Sequence, residues 1–190
     1  MSKAALLLLD LQNEMVDPKG KFGGTLAGLT AERNVLANAA TALAAARAKG
    51  MVVAFVRLTF RSDCLSVAAR VQKLKAAGTA VAGTWGCEFP ETIAPRDDEP
   101  VFDKQCVNPF FNTVLMTWLL RQGVERLVIG GVATNLVVEA TARAADGAGF
   151  AVTVLEDVCA APNPAWHEFS VKNMLPLFGT VSTAAEFAAG

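Results

Sequence analysis

Three features of this 190-residue chain are of a type and position that could do chemistry. Asp10 closes the apolar run AALLLLD (Ala4 to Asp10), and Lys104 closes PVFDK (Pro100 to Lys104). The tight turn Val132 to Thr134 opens a helix whose first turn carries Val137, with Thr134 or Asn135 available as its N-cap. A carboxylate can give or take a proton, an ammonium group steadies developing negative charge, and first-turn amides attract an anion. Each feature directly follows a run that reads as a strand. In one parallel sheet all three therefore stand at the carboxyl edge, where open α/β sheets keep their ligands.

Other residues are candidates for holding a substrate rather than changing it. Arg57, near the end of MVVAFVRLTF, could clamp a carboxylate with two parallel hydrogen bonds, and Trp85, Phe22 and Phe110 could line an apolar wall. His167 is the single histidine, which leaves no His-rich metal site; it reads as packing or capping the last helix. The four cysteines, Cys64, Cys87, Cys106 and Cys159, are scattered without a CxxC pair. Cys106 lies two residues beyond Lys104 but has no histidine beside it to activate it, and reads as a buried thiol. No metal and no cofactor is expected.

The elements that must position these groups alternate β with α. Strands are expected over Ala4 to Asp10, Met51 to Phe60, Pro100 to Lys104, Arg126 to Gly131 and Ala151 to Leu155, with a short sixth over Gly179 to Ser182. Helices are expected over Ala31 to Lys49, Ser62 to Ala77, Phe110 to Arg121, the segment carrying Val137, Ala140, Thr141 and Ala144 on its apolar face, and Ala165 to Leu177. Val16 to Gly24 reads as a surface connection, and Thr79 to Pro100 as a long loop of the kind that carries function. The fold class is α/β: a three-layer α/β/α sandwich around a mostly parallel, six-stranded, Rossmann-like sheet, with residues 1–190 as one domain.

Four separated segments carry a family resemblance in the right order: LLLLDLQNEM, GTWGCEF, FDKQCVNPFFNTVL, and GVATNLVVEATARAADGAGFAVTVLEDVCA. Together they resemble the isochorismatase-like hydrolases of the cysteine hydrolase superfamily. The resemblance implies strand order 3-2-1-4-5-6, a cis peptide at Val132-Ala133, and Asp10 and Lys104 as catalytic residues, with Val132, Ala133 and Val137 around the substrate. In cysteine members the nucleophile stands three residues after the Thr of GVAT, and here that position is Val137. Some members that cleave isochorismate also lack the thiol: their Asp protonates a vinyl ether and water completes the cleavage. By opposite charge, Lys104 is expected to lower the Asp10 pKa and hold the carboxylate ionised in the empty site.

A net charge of −1, with 17 basic and 18 acidic residues and no basic run, gives no footprint for nucleic acid or an anionic membrane. No apolar stretch reaches membrane-spanning length, and Ala4 to Leu9 lacks the flanks of an export signal, so the expected location is cytoplasmic. The partners are a small-molecule substrate and, by resemblance, further copies of the chain. The functional reading is a hydrolase acting on a small anionic metabolite through Asp10 acid/base chemistry with Lys104 and no cysteine nucleophile. Two other readings stay open: a silent relative that binds a small molecule or partner, and a cysteine amidase whose Cys has been replaced by Val137.

Overall fold

The computed structural model describes residues 3–66 and 68–190. Its six strands are β1 (Lys3–Leu9), β2 (Val52–Leu58), β3 (Val101–Lys104), β4 (Val124–Val132), β5 (Ala151–Ala160) and β6 (Thr180–Ser182). They form one sheet in the order β3-β2-β1-β4-β5-β6, and every neighbouring pair is parallel. The helices are α1 (Asn13–Val16), α2 (Gly28–Glu32), α3 (Val35–Ala48), α4 (Ala69–Ala76), α5 (Leu115–Arg121), α6 (Glu139–Gly147), α7 (Pro164–Phe169) and α8 (Ala184–Ala189).

The continuous apolar run of β1 is explained by cover on both faces. Leu6 and Leu8 pack into a core with Val35, Ala39, Leu43 and Ala46 of α3. Ala5, Leu7 and Leu9 point the other way, into a core with Leu115 and Leu119 of α5 and Ala142 and Ala145 of α6. The strand period of two divides one run between two helical layers. Each of these leucines is fully buried, which contributes about 1.5–3 kcal/mol per side chain. The alanine-rich face of α3 lets that helix lie close on the sheet.

Several boundaries differ from the expected ones, each for a local reason. The helix expected over Ser62 to Ala77 starts only at Ala69, after a turn in which Arg61 pairs with Asp63; its residue Val67 lies outside the described residues. The helix expected from Phe110 starts at Leu115, because Asn112 adopts a left-handed φ of 56° and the Thr113 hydroxyl accepts from the Leu115 amide. The expected surface connection Val16 to Gly24 is partly helical, with a π turn at Gly23–Ala27 leading into α2. Neither Thr134 nor Asn135 caps the helix after β4: the cap is Ala133, and a π turn at Thr134–Val138 precedes α6. The buried stripe falls on Val137, Val138, Thr141, Ala142 and Ala145, about one residue later than expected. β5 continues to Ala160 through a register shift opposite Ile129 and Gly131, and α8 has no counterpart among the expected helices.

β1 and β4 are the strands between which the winding changes direction, and they meet at a point that excludes side chains. A Cβ on Gly131, whose φ is 151°, would stand 2.0 Å from the Leu9 carbonyl oxygen, immediately before Asp10. Gly131→Ala should therefore push the end of β1 away and destabilise the protein by about 3 kcal/mol, with backbone strain added to overpacking. Urea unfolding measures it; a midpoint unchanged from wild type would contradict the close approach.

Candidate active site

Crossing from β1 to β4 opens a crevice at the carboxyl ends of the strands, at the topological switch point of the sheet. A pocket of about 230 Å³ occupies it. Asp10 follows β1 with a left-handed φ of 55°, and its amide donates to the Val56 carbonyl at 2.8 Å. Lys104, the last residue of β3, reaches across the end of β2 to place Nζ 2.7 Å from Asp10 Oδ2 and 3.1 Å from the Cys106 carbonyl. Both side chains are almost wholly buried, at 2% exposure for Lys104 and 6% for Asp10. Asp10 Oδ1 has no hydrogen-bond partner among the described residues.

Asp10 stands at the wall of a mainly apolar chamber. Leu58, Leu74, Val107, Val132, Ala133, Leu136 and Val137 contribute to its wall, together with Phe22, Met15, Leu26, Pro162, Cys106 and Arg70. Burial pushes the Asp10 carboxyl above the usual carboxylate range; the Lys104 charge works in the opposite direction and is outweighed. The expectation that Lys104 would leave Asp10 with a lowered pKa is therefore corrected. The ion pair forms, but taking the carboxylate out of water costs more than the pairing returns.

Neighbouring groups hold the pair in place. The Gln12 side chain accepts from the Leu58 amide at 2.8 Å and donates to the Leu58 carbonyl at 2.8 Å, tying the segment after β1 to the end of β2. Glu14 accepts from the Ala80 amide at 2.7 Å and anchors the loop after α4. On the other side, the Val132-Ala133 peptide is cis. The Ala133 carbonyl accepts from the amides of Leu136 and Val138. Thr134 is held by His167, whose Nδ1 lies 2.8 Å from the Thr134 hydroxyl and whose Nε2 lies 3.4 Å from Glu156. Burial, aided by the Arg33 charge, lowers the His167 pKa, so the ring acts as a neutral strut rather than a helix cap.

The chain belongs to the isochorismatase family. The isochorismatase domain model matches residues 4–186. The chain is 30% identical to a ureidoacrylate amidohydrolase of Enterobacter sp., covering 97% of this chain and 87% of that protein. Among solved structures, an isochorismatase family protein of Desulfovibrio vulgaris superposes with a TM-score of 0.87 at 26% identity, covering 100% of this chain and 98% of that one. A cysteine hydrolase of Pseudomonas syringae pv. phaseolicola superposes equally well, TM-score 0.87, at 26% identity over 98% of this chain and 91% of that one. This protein is accordingly a hydrolase of the isochorismatase family.

Within this isochorismatase-family pocket the structure gathers Asp10, Lys104, Val132, Ala133 and Val137. Three other candidates stand elsewhere. Arg57 is held by Asp103 at 2.6 Å and by the Cys87 carbonyl at 2.9 Å, so its guanidinium is turned along the sheet edge. Trp85 is 45% exposed on the loop over α1, where its carbonyl accepts from Asn13. Phe110 packs against the core under α5. Sequence reasoning passed over Arg70, which no motif or strand end marks. Cys159 is fully buried, and burial pushes its thiol pKa up to about 12. Among the described residues no cluster of three or more His, Cys, Asp or Glu could hold a metal ion.

Removing the counter-charge should expose the linkage between Asp10 and stability. A carboxyl with a folded-state pKa above its unfolded value of about 4 contributes stability below that pH, and loses it as pH rises through the folded pKa. Lys104→Met removes the opposing charge and drives the Asp10 pKa higher still. The variant should be destabilised by about 3 kcal/mol near pH 8 and by clearly less near pH 5. Urea midpoints across this range test it, and a deficit that does not change with pH would contradict the buried pairing.

Proposed function

We propose that this isochorismatase-family hydrolase cleaves a small anionic metabolite with Asp10 as acid/base, Lys104 as its electrostatic partner, and no cysteine nucleophile. The observation that carries the reading is the Oδ1 of Asp10, buried and without a hydrogen-bond partner among the described residues, on a residue that lines the pocket, while Lys104 holds Oδ2. A carboxyl whose pKa burial has raised holds its proton over a wider pH range than an exposed one, which suits an acid that must deliver it to a basic atom or an electron-rich carbon. Once the proton leaves, the Lys104 ammonium at 2.7 Å stabilises the carboxylate that remains.

A vinyl ether fits this chemistry. Asp10 delivers its proton to the terminal vinyl carbon, the ether oxygen shares the resulting positive charge, and water adds at the cationic carbon. The hemiketal so formed returns a proton to Asp10 as it collapses to a ketone and an alcohol. No bond to the protein is made, which agrees with a valine at the wall position where cysteine members would carry their thiol. Cys106 also lines the pocket, but its thiol is engaged by the main-chain oxygens of Asn108 at 3.2 Å and Phe111 at 3.6 Å.

We further place the protein in the cytoplasm as a homo-oligomer. Its four cysteines are all free, and Leu136, Trp166 and Phe169 leave apolar surface exposed that suits assembly of copies. No helix is long and apolar enough to cross a membrane among the described residues. Sedimentation as a monomer would count against the assembly.

The mechanism is tested with carboxylated vinyl ethers, amides and esters. Turnover of the vinyl ether should fall by about a thousandfold or more in Asp10→Asn, which cannot deliver a proton, and should survive in Val137→Ala, which only enlarges the pocket. In the wild type, kcat/KM should decline as pH rises through the raised Asp10 pKa, because the protonated form is the acid. Turnover unchanged in Asp10→Asn would overturn the mechanism. An inactive wild type that gains amidase activity in Val137→Cys would instead identify a disabled cysteine hydrolase.

A further inference from the structure

The pocket contains a cation that no acidic group answers. Several basic residues on the neighbouring segments are committed: Lys104 to Asp10, Lys21 to the Ala77 carbonyl at 2.5 Å, Lys75 to the Cys64 carbonyl at 2.8 Å, Arg61 to Asp63, and Arg57 to Asp103; Lys73 of α4 is unpaired among the described residues but does not line the pocket. Arg70, an exposed residue in the first turn of α4, lines the pocket at its rim and has no hydrogen-bond or ion-pair partner among the described residues. Its charge acts weakly on the Asp10 carboxyl, lowering its pKa less than Lys104 does. At the other end, Asp10 Oδ1 is equally unanswered. Between the two lie aliphatic side chains, among them Leu58, Leu74, Val107 and Leu136.

We propose that Arg70 is the specificity-determining residue of this pocket: its guanidinium receives the carboxylate of a small unsaturated or branched acid, the aliphatic wall takes the carbon skeleton, and the reacting group reaches Asp10. This deepens the functional reading above and rests on it for the chemistry at Asp10. A planar guanidinium presents two parallel N–H donors that match a carboxylate, which a lysine would not reproduce. A pocket of about 230 Å³ falls below the usual range for drug-sized ligands, about 300–1,000 Å³, and suits a short-chain acid. An uncharged analogue of the same shape would fill the wall and leave Arg70 unsatisfied, so charge decides between them.

The test uses crotonate and crotonamide, which share a carbon skeleton and differ in charge, titrated calorimetrically at low salt into the full chain. Wild type should bind crotonate at least about tenfold more tightly than crotonamide. Arg70→Gln should lose that preference by weakening crotonate alone, and Arg70→Lys should restore only part of it. Arg70 is exposed, so these variants should melt as the wild type does. A crotonate Kd unchanged in Arg70→Gln overturns the proposal, as does a wild type that fails to prefer crotonate, including one that binds neither probe. If Asp10→Asn abolishes turnover while Arg70→Gln leaves crotonate binding intact, the acid mechanism stands and the role of Arg70 falls. If Arg70→Gln loses the preference while Asp10→Asn leaves turnover unchanged, Arg70 keeps its role and the acid mechanism falls.

Discussion

The ion pair between Asp10 and Lys104 is the constraint on which the site depends. The Asp10 carboxyl and the Lys104 ammonium are held 2.7 Å apart in a place from which water is almost excluded, at the ends of strands β1 and β3, which are separated by β2. Such a pair is costly to bury and is tolerated only where its geometry is enforced. The enforcement comes from several directions: the Asp10 amide on Val56, the double hydrogen bond of Gln12 to Leu58, and the Lys104 ammonium on the Cys106 carbonyl. Asp10 is satisfied on one side only, since Oδ1 has no hydrogen-bond partner among the described residues.

The second half of the pocket is built by close backbone approach. Gly131 lets β4 lie against the end of β1, so that Val132, Ala133 and Val137 come level with Asp10. His167 then fixes Thr134 from behind through a neutral ring bridged to Glu156. The two halves derive from opposite directions of winding, and the crevice between them follows from strand order rather than from any single loop. The connections between strands close its rim, with Phe22, Arg70 of α4 and Pro162 arriving from three different ones.

Much of the scaffold was legible in the chain. Leu6 to Leu9 form an uninterrupted apolar run, which requires a strand covered on both faces, and both layers of the core meet it. The ends of β1 and β3 could be read because a charged residue stops each run. The ends of helices were less legible: the π turn at Thr134–Val138 displaced the buried stripe of α6, and no periodicity argument contains such a turn. The last helix, α8, carried its signal openly, since Thr183 and Glu186 form a capping box, but its six residues are too few to show an amphipathic period.

The sequence by itself determined that this is an α/β chain, that Asp10, Lys104 and the turn at Val132 share one sheet edge, and that a valine stands at position 137. These follow from hydrophobic period and from the order of residues along the chain, both local properties. Tertiary structure alone decided which arginine lines the pocket: Arg57 is spent on Asp103, while Arg70, on an exposed helix turn at the rim, is left without a partner among the described residues. It also decided the sign of the Asp10 shift, because desolvation depends on every atom that excludes water from the carboxyl, whereas the attraction of Lys104 could be guessed from charge alone. Burial is a property of the packed whole, and no stretch of residues carries it.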